Sequence, residues 1–264
     1  MRNKKIGLAL GSGAVRGFAI LPIIQRLQKE GIEISAVSGS SIGALIGAYY
    51  ALNAEVDSFL ETYKAFRKKD FLKLTDINNP KLSLIKGKKL KAFLTDRFFG
   101  NRTFADTKIP LVICTTDLIE RKSIYHTKGK IVDAVMASIS LPGVFPPYRR
   151  NRKLYVDGGV LDPVPVSVLF EMNMHKIIAV NLTRFESKVD KETSDLIPML
   201  MQTFYMMMEQ LATCKDDPNV FMLSPRFKPD PMSMLALYNW EEPYGIGKRY
   251  IGRHIKALKD WLRD

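Results

Sequence analysis

Residues 36–44, Ala-Val-Ser-Gly-Ser-Ser-Ile-Gly-Ala, constrain the fold of this chain more than any other stretch. They read as the end of a short buried strand, a serine with a glycine two residues away on each side, and the start of an apolar helix. A chain that turns this sharply from strand into helix drives the central residue to strained φ/ψ, and small flanking residues avoid the resulting clash. Gly39-Ser40-Ser41-Ile42-Gly43 is therefore a candidate nucleophile elbow, with Ser41 as the nucleophile. The helix behind it ends in free N–H groups and the positive end of a dipole, beside the reacting oxygen.

Elements of the same two kinds alternate along the chain. Residues 5–10 read as a buried strand, 11–17 as a glycine-rich turn and 18–29 as a helix in which Pro22 demands a kink or a later start. Residues 33–37 form the second strand, 42–52 the helix after the elbow and 56–66 another helix. Residues 70–89 read as an irregular insertion and 90–98 as a helix. Further strands are expected at 110–116, 123–126, 153–156, 176–182 and 220–223, and further helices at 132–138, 166–172, 196–211 and 245–262. This alternation implies a three-layer α/β/α fold around a mostly parallel sheet. Neither repeats nor a linker divide the chain, so residues 1–264 are expected to form one domain. Its chemistry would lie in residues 5–185, with a helical, basic part at 186–264.

Composition narrows the partners. The chain carries 40 basic and 27 acidic residues, a formal charge of +13. A surplus of that size favours an anionic surface. No nucleic-acid motif stands out, and the basic runs lack interleaved aromatic residues, which leaves an anionic membrane surface or a solvated basic face without a specific partner. Two cysteines, Cys114 and Cys214, form neither a disulfide framework nor metal-ligand spacing and suit a reducing compartment. The opening Arg2, Lys4 and Lys5 followed by an apolar run resembles a signal peptide, but the run is cut by glycines and Arg16, so a first strand explains it better. No stretch reaches the roughly 18 apolar residues of a spanning helix. A cytoplasmic location with peripheral membrane contact is the expectation.

The glycine-rich turn Gly11-Ser12-Gly13-Ala14-Val15-Arg16-Gly17 has two readings. It could cradle a dinucleotide, but that use wants an acidic residue at the end of the second strand, where the serine elbow stands instead. It could also leave backbone N–H groups exposed for a developing oxyanion. A serine nucleophile needs a proton acceptor. His175 precedes a strand and belongs to the wrong sheet edge, and His254 sits in a basic amphipathic helix. His126 is a minor candidate. Asp157 ends a strand, is followed by Gly158 and Gly159, and is the better partner, which makes the pair a Ser–Asp dyad.

These motifs together resemble those of the bacterial patatin-like phospholipase family. Gly11 to Gly17 is similar to that family's oxyanion loop with its basic residue, Gly39 to Gly43 to its nucleophile motif, and Asp157-Gly158-Gly159 to its dyad aspartate motif. Ser138-Ile139-Ser140-Leu141-Pro142-Gly143-Val144-Phe145-Pro146-Pro147 resembles the loop before that aspartate. Ser12 and Ala14 stand where many members have glycine, and Ile20 where histidine is frequent. The resemblance implies hydrolysis of phospholipid or other acyl-ester lipids through an acyl-enzyme, without metal or other cofactor. Ser41 would be the nucleophile, Asp157 the base, and N–H groups between Gly11 and Ala14 the oxyanion donors. An acyltransferase or thioesterase would use the same dyad, and a membrane-binding regulator without turnover is a third reading. The methionine-rich helix at 196–211 suits a deformable acyl-chain pocket, a lid, a dimer contact or core packing.

Overall fold

A computed structural model of the chain describes residues 4–65, 85–185, 196–213, 217–228 and 238–264. Eight strands form one sheet: β1 (Ile6–Leu10), β2 (Ala36–Ser40), β3 (Leu111–Asp117), β4 (Lys122–His126), β5 (Tyr148–Arg150), β6 (Lys153–Asp157), β7 (Lys176–Val180) and β8 (Val220–Leu223). The helices among the described residues are α1 (Ile20–Lys29), α2 (Ile42–Asn53), α3 (Asp57–Lys64), α4 (Lys88–Leu94), α5 (Ile131–Ser138), α6 (Ser167–Glu171), α7 (Leu196–Thr213) and α8 (Glu241–Arg263). The strands β3, β2, β1, β7 and β8 lie side by side and run parallel.

Side chains alternate across this sheet and divide the core. Leu8, Leu10, Val37, Ile178 and Val180 face α1, α2 and α8 in one large apolar cluster. Ala9, Ala36, Ile177 and Ala179 face the other side, where Val166 and Leu169 of the α6 region and Ala212 of α7 cover them. The α6 layer comes close because small residues line that face: a Cβ at Gly7 would meet the Leu169 side chain at 3.0 Å. The expected three-layer α/β/α fold is the fold observed. The C-terminal helix shares the larger core through Ile251, Ile255 and Leu258, and Lys259 pairs with Glu30 at 2.6 Å.

Several boundaries differ from those expected from sequence. Half of the glycine-rich turn is a 3-10 helix, Ala14–Ala19, and α1 starts only at Ile20. Pro22 thus falls in the first helical turn, where its missing N–H costs nothing. The second strand covers 36–40 rather than 33–37, because its backbone pairs with both β1 and β3 as far as Gly39 and Ser40. The helix expected at 90–98 starts at Lys88 and widens into a π-type turn over Thr95–Phe99. The C-terminal helix starts at Glu241, with Pro243 in its first turn. A β5–β6 hairpin, not expected from sequence, closes through Asn151 and Arg152, with φ of 49° and 61°. Most of the irregular region at 70–89, and the basic run Arg67-Lys68-Lys69, lie outside the described residues.

One topological feature positions the site. On one side β3 pairs with β4 from Ile113 to Asp117. Its other side is shared, with β2 taking Leu111 to Cys114 and the antiparallel β6 taking Thr115 to Asp117. Ser40 stands opposite Cys114 and Asp157 opposite Thr115, so β2 and β6 meet end to end along one strand. Asp157 is the last residue of its strand, as expected from sequence, although β6 is antiparallel to β3. It reaches the level of Ser40 because β3 projects beyond β2.

Candidate active site

The elbow is built by close packing. Ser41 has φ 56° and ψ −125°, a region that is costly for a residue with a Cβ. Neither Gly39 nor Gly43 has positive φ; each is required by proximity. A Cβ on Gly39 would meet the Gly43 carbonyl oxygen at 2.5 Å, and one on Gly43 would collide with the backbone of Leu10. The strain on Ser41 is held by a bond outside the elbow. Its N–H donates to Ser138 Oγ at 2.9 Å, and Ser138 Oγ donates to the Cys114 carbonyl at 2.7 Å. Ser138, fully buried at the end of α5, thus ties the elbow to β3. From sequence Ser138 belongs to a motif but has no assigned role.

Ser41 Oγ donates to Asp157 Oδ2 at 2.5 Å. The other carboxylate oxygen accepts from the Gly159 N–H at 2.7 Å, and the Asp157 N–H donates to the Ser140 carbonyl at 3.0 Å. Asp157 is 2% exposed. Burial disfavours its charged form and lifts its pKa from the usual carboxylate range to about 7, against the opposing pull of the Ser41 and Gly159 hydrogen bonds. Gly158 and Gly159 are close-approach positions: a Cβ on Gly158 would collide with the Cys114 carbonyl, and one on Gly159 would lie 2.6 Å from Ser12 Oγ and 2.7 Å from Met208 Sδ.

The glycine loop passes beside this pair, but not all of its N–H groups are free. Gly11 N–H donates to the Val180 carbonyl at 2.9 Å and Ser12 N–H to the Pro163 carbonyl at 2.8 Å. Ser38 Oγ donates to the Pro165 carbonyl at 2.5 Å, so the segment after Asp157 fastens both β2 and the loop. Among the described residues, the N–H groups of Gly13 and Ala14 have no such acceptor. Of the N–H groups expected as donors between Gly11 and Ala14, those of Gly11 and Ser12 are thus spent holding the loop in place. Ala14 has φ 48°, a backbone state that glycine adopts without penalty, which gives a physical reason for glycine being frequent at this position. Ser12 Oγ is buried and unpaired among the described residues.

Arg16 is buried beside the glycine loop. Its guanidinium is caged over the rings of Tyr205 at 4.7 Å and Phe185 at 4.8 Å, and Nε donates to the Gly13 carbonyl at 3.3 Å. Burial lowers its pKa, with Tyr205 opposing. Gly17 lies against Ile42, so the loop leans directly on the first turn of α2. The α7 helix closes the region, with Met201, Tyr205 and Met208 buried against Ala14 and Leu141.

The histidines stand elsewhere. His126 shares a 2.8 Å hydrogen bond with Thr115 Oγ1 and packs edge-on against Tyr155 at 5.2 Å. Burial pulls its pKa down to about 4, so it is neutral at pH 7. His175 Nδ1 accepts from the Lys5 N–H, at the opposite end of β1. His254 stacks on Tyr250 in α8.

Comparison with known proteins bears on this arrangement. An uncharacterised NTE family protein of Mycobacterium tuberculosis is 33% identical over 185 residues, 70% of this chain and 51% of that protein. The neuropathy target esterase sws of Drosophila melanogaster is 31% identical over 187 residues, covering 69% of this chain and 13% of that protein. The lysophospholipase NTE1 of Phaeosphaeria nodorum is 27% identical over 98% of this chain and 19% of its own length. The chain thus spans about half the length of the mycobacterial relative and a smaller share of the other two. Among solved structures, VipD from Legionella pneumophila has 15% identity and a TM-score of 0.49, over 95% of this chain and 67% of that one. The family model described as patatin-like phospholipase matches residues 8–170, which takes in the glycine loop, the elbow and Asp157-Gly158-Gly159. With more than half of its length covered by that match, this chain belongs to the patatin-like phospholipase family.

Proposed function

We propose that the chain is a serine lipid acyl hydrolase acting on phospholipid, lysophospholipid or related acyl esters through Ser41 and Asp157. The observation that carries this reading is the 2.5 Å hydrogen bond from Ser41 Oγ to a buried carboxylate whose pKa stands near 7. A base poised near the working pH combines a useful ionised fraction with real proton affinity.

In the first half-reaction Ser41 Oγ bonds to the ester carbonyl carbon while its proton passes to Asp157 Oδ2. The carbonyl oxygen becomes an oxyanion, for which the free N–H groups of Gly13 and Ala14 are the donors. As the carbon–oxygen bond to the leaving alcohol breaks, Asp157 returns the proton to the departing oxygen. Water then attacks the acyl-enzyme and gives its proton to Asp157. Collapse of the second intermediate releases the fatty acid, and the proton goes back to Ser41 Oγ.

The same reading includes contact with an anionic membrane. Its support is the +13 charge together with exposed apolar side chains: Met206 and Met207 of α7 are each 59% exposed, and Ile119, in the turn after β3, is 56% exposed. Among the described residues no helix is long and apolar enough to cross a membrane, so this contact would be made from the surface.

Turnover of a short, monomeric acyl ester by the wild type beside Ser41→Ala and Asp157→Asn tests the assignment. Both variants should lose about a thousandfold or more in kcat/KM. Equal activity in all three proteins would refute the dyad.

A further inference from the structure

A cleft of about 760 Å³ lies along the outer edge of β8, and neither Ser41 nor Asp157 lines it. Four guanidinium groups converge on it from three parts of the chain. Arg184 follows β7, Arg226 follows β8, and Arg249 and Arg253 stand one turn apart on α8. Among the described residues Asp217 is the one acidic residue in the lining. Among the described residues none of the four arginines forms an ion pair. His254 is in the same wall, and with Nδ1 committed to the Tyr250 carbonyl at 2.8 Å, Nε2 is its remaining polar atom.

Four like charges around one cleft repel each other, and a surface with free choice of residues would disperse them or pair them with carboxylates. Here they sit on elements that converge, which concentrates positive potential in a concave space. Guanidinium forks match phosphate oxygens with paired, charge-assisted N–H donors. A monocarboxylate would neutralise one charge of four, whereas a phosphomonoester brings about two negative charges and more acceptor oxygens. The volume falls in the range of sites that hold small organic ligands, about 300–1,000 Å³.

We propose that this cleft binds a phosphorylated, multiply anionic ligand at a site distinct from the proposed dyad. The ligand chemistry is a phosphomonoester, borne either by a lipid headgroup or by a soluble molecule.

Binding is measured on full-length Ser41→Ala protein, so the result stands whether or not the chain hydrolyses lipid. One arm titrates inorganic pyrophosphate by calorimetry. The other measures sedimentation with phosphatidylcholine vesicles containing either phosphatidic acid or an amount of phosphatidylglycerol matched in surface charge. The cleft variant is Arg249→Gln/Arg253→Gln, which keeps good helix formers on an exposed face. The control, Arg149→Gln/Arg152→Gln, removes the same charge from the β5–β6 hairpin. Saturable binding of one ligand per chain is expected in at least one arm, weakened about tenfold or more in the cleft variant and less than about twofold in the control. Binding to pyrophosphate alone assigns a soluble phosphate ester, and preference for phosphatidic acid over phosphatidylglycerol assigns a lipid headgroup. Arg226→Gln, at an exposed position outside any helix, provides the same reading should the double variant not fold. Absence of saturable binding in both arms, or equal weakening of cleft and control variants, would overturn the proposal.

Discussion

In the proposed mechanism Asp157 carries a conflict between stability and chemistry. A carboxyl whose pKa is raised on folding binds its proton more tightly in the folded chain than in the unfolded one. Between the unfolded value near 4 and the folded value of about 7, the folded state therefore holds more protons, and stability falls as pH rises through that window. Above pH 7 the buried charge should cost a few kcal/mol, since each tenfold gain in proton affinity on folding corresponds to about 1.4 kcal/mol. Asp157→Asn removes that cost. We expect its melting temperature to exceed that of the wild type at pH 8 and the difference to shrink towards pH 4, while activity is lost. For the wild type, kcat/KM should rise about tenfold per pH unit below 7 and level off above it, since only ionised Asp157 accepts the Ser41 proton. A flat profile from pH 5 to 8 would remove Asp157 from the role of base.

At the scale of elements, the site depends on where β2, β6 and α5 end. Ser138 caps this junction by accepting the Ser41 N–H and donating to the Cys114 carbonyl. Ser138→Ala removes the acceptor of the buried Ser41 N–H, which costs about 1–3 kcal/mol, and takes away one donor to the Cys114 carbonyl. We expect a clear loss in melting temperature and a lower kcat with little change in KM, because the elbow would be held less firmly; chemical denaturation and steady-state kinetics measure the two effects. The α7 helix divides into two faces. Met201, Tyr205 and Met208 are buried over the glycine loop, while Met206 and Met207 are exposed. The core-packing reading of this methionine-rich helix accounts for the first face alone. Met206→Ser/Met207→Ser should leave turnover of a monomeric ester within about twofold and reduce vesicle binding about a hundredfold or more, since each substitution removes roughly 2 kcal/mol of apolar burial at an interface. Unchanged binding in a flotation assay would separate α7 from any membrane contact.

For the whole molecule, the +13 charge sets a long-range field that salt screens over about 10 Å at 0.1 M. Adsorption to anionic vesicles should drop at least about tenfold between 0.05 and 0.5 M salt, if several surface lysines and arginines each supply about 1 kcal/mol. Neutral vesicles should show little salt dependence. The basic groups at Lys86 to Lys91 and Arg149 to Lys153 are not all free to contribute: Lys91 is paired with Asp133 at 2.7 Å, and Lys153 contacts Asp117 at 3.4 Å. Burial pushes both carboxyl pKa values up but is outweighed, at Asp133 by hydrogen bonds from Lys91 and Tyr148 and at Asp117 by the N–H groups of Ile119 and Glu120, with Lys153 adding to them.

By itself the amino-acid sequence determined the alternation of strands and helices and the Ser41 elbow, and it led to the proposed pairing of Ser41 with Asp157 instead of a histidine. Those features are local: they follow from apolar periodicity, from small residues around a turn, and from a side chain's place at the end of its strand. The tertiary structure decided what depends on register between distant segments. That β6 runs antiparallel and meets β2 head to head along β3 is a pairing of residues far apart in the chain, invisible to periodicity. Hydrogen bonding selected which loop N–H groups remain free, because Val180 and Pro163 claim Gly11 and Ser12 across the sheet. It also tied Ser138 to the elbow and Arg16 to the Gly13 carbonyl, since both contacts depend on which atoms lie within about 3 Å once the layers have packed.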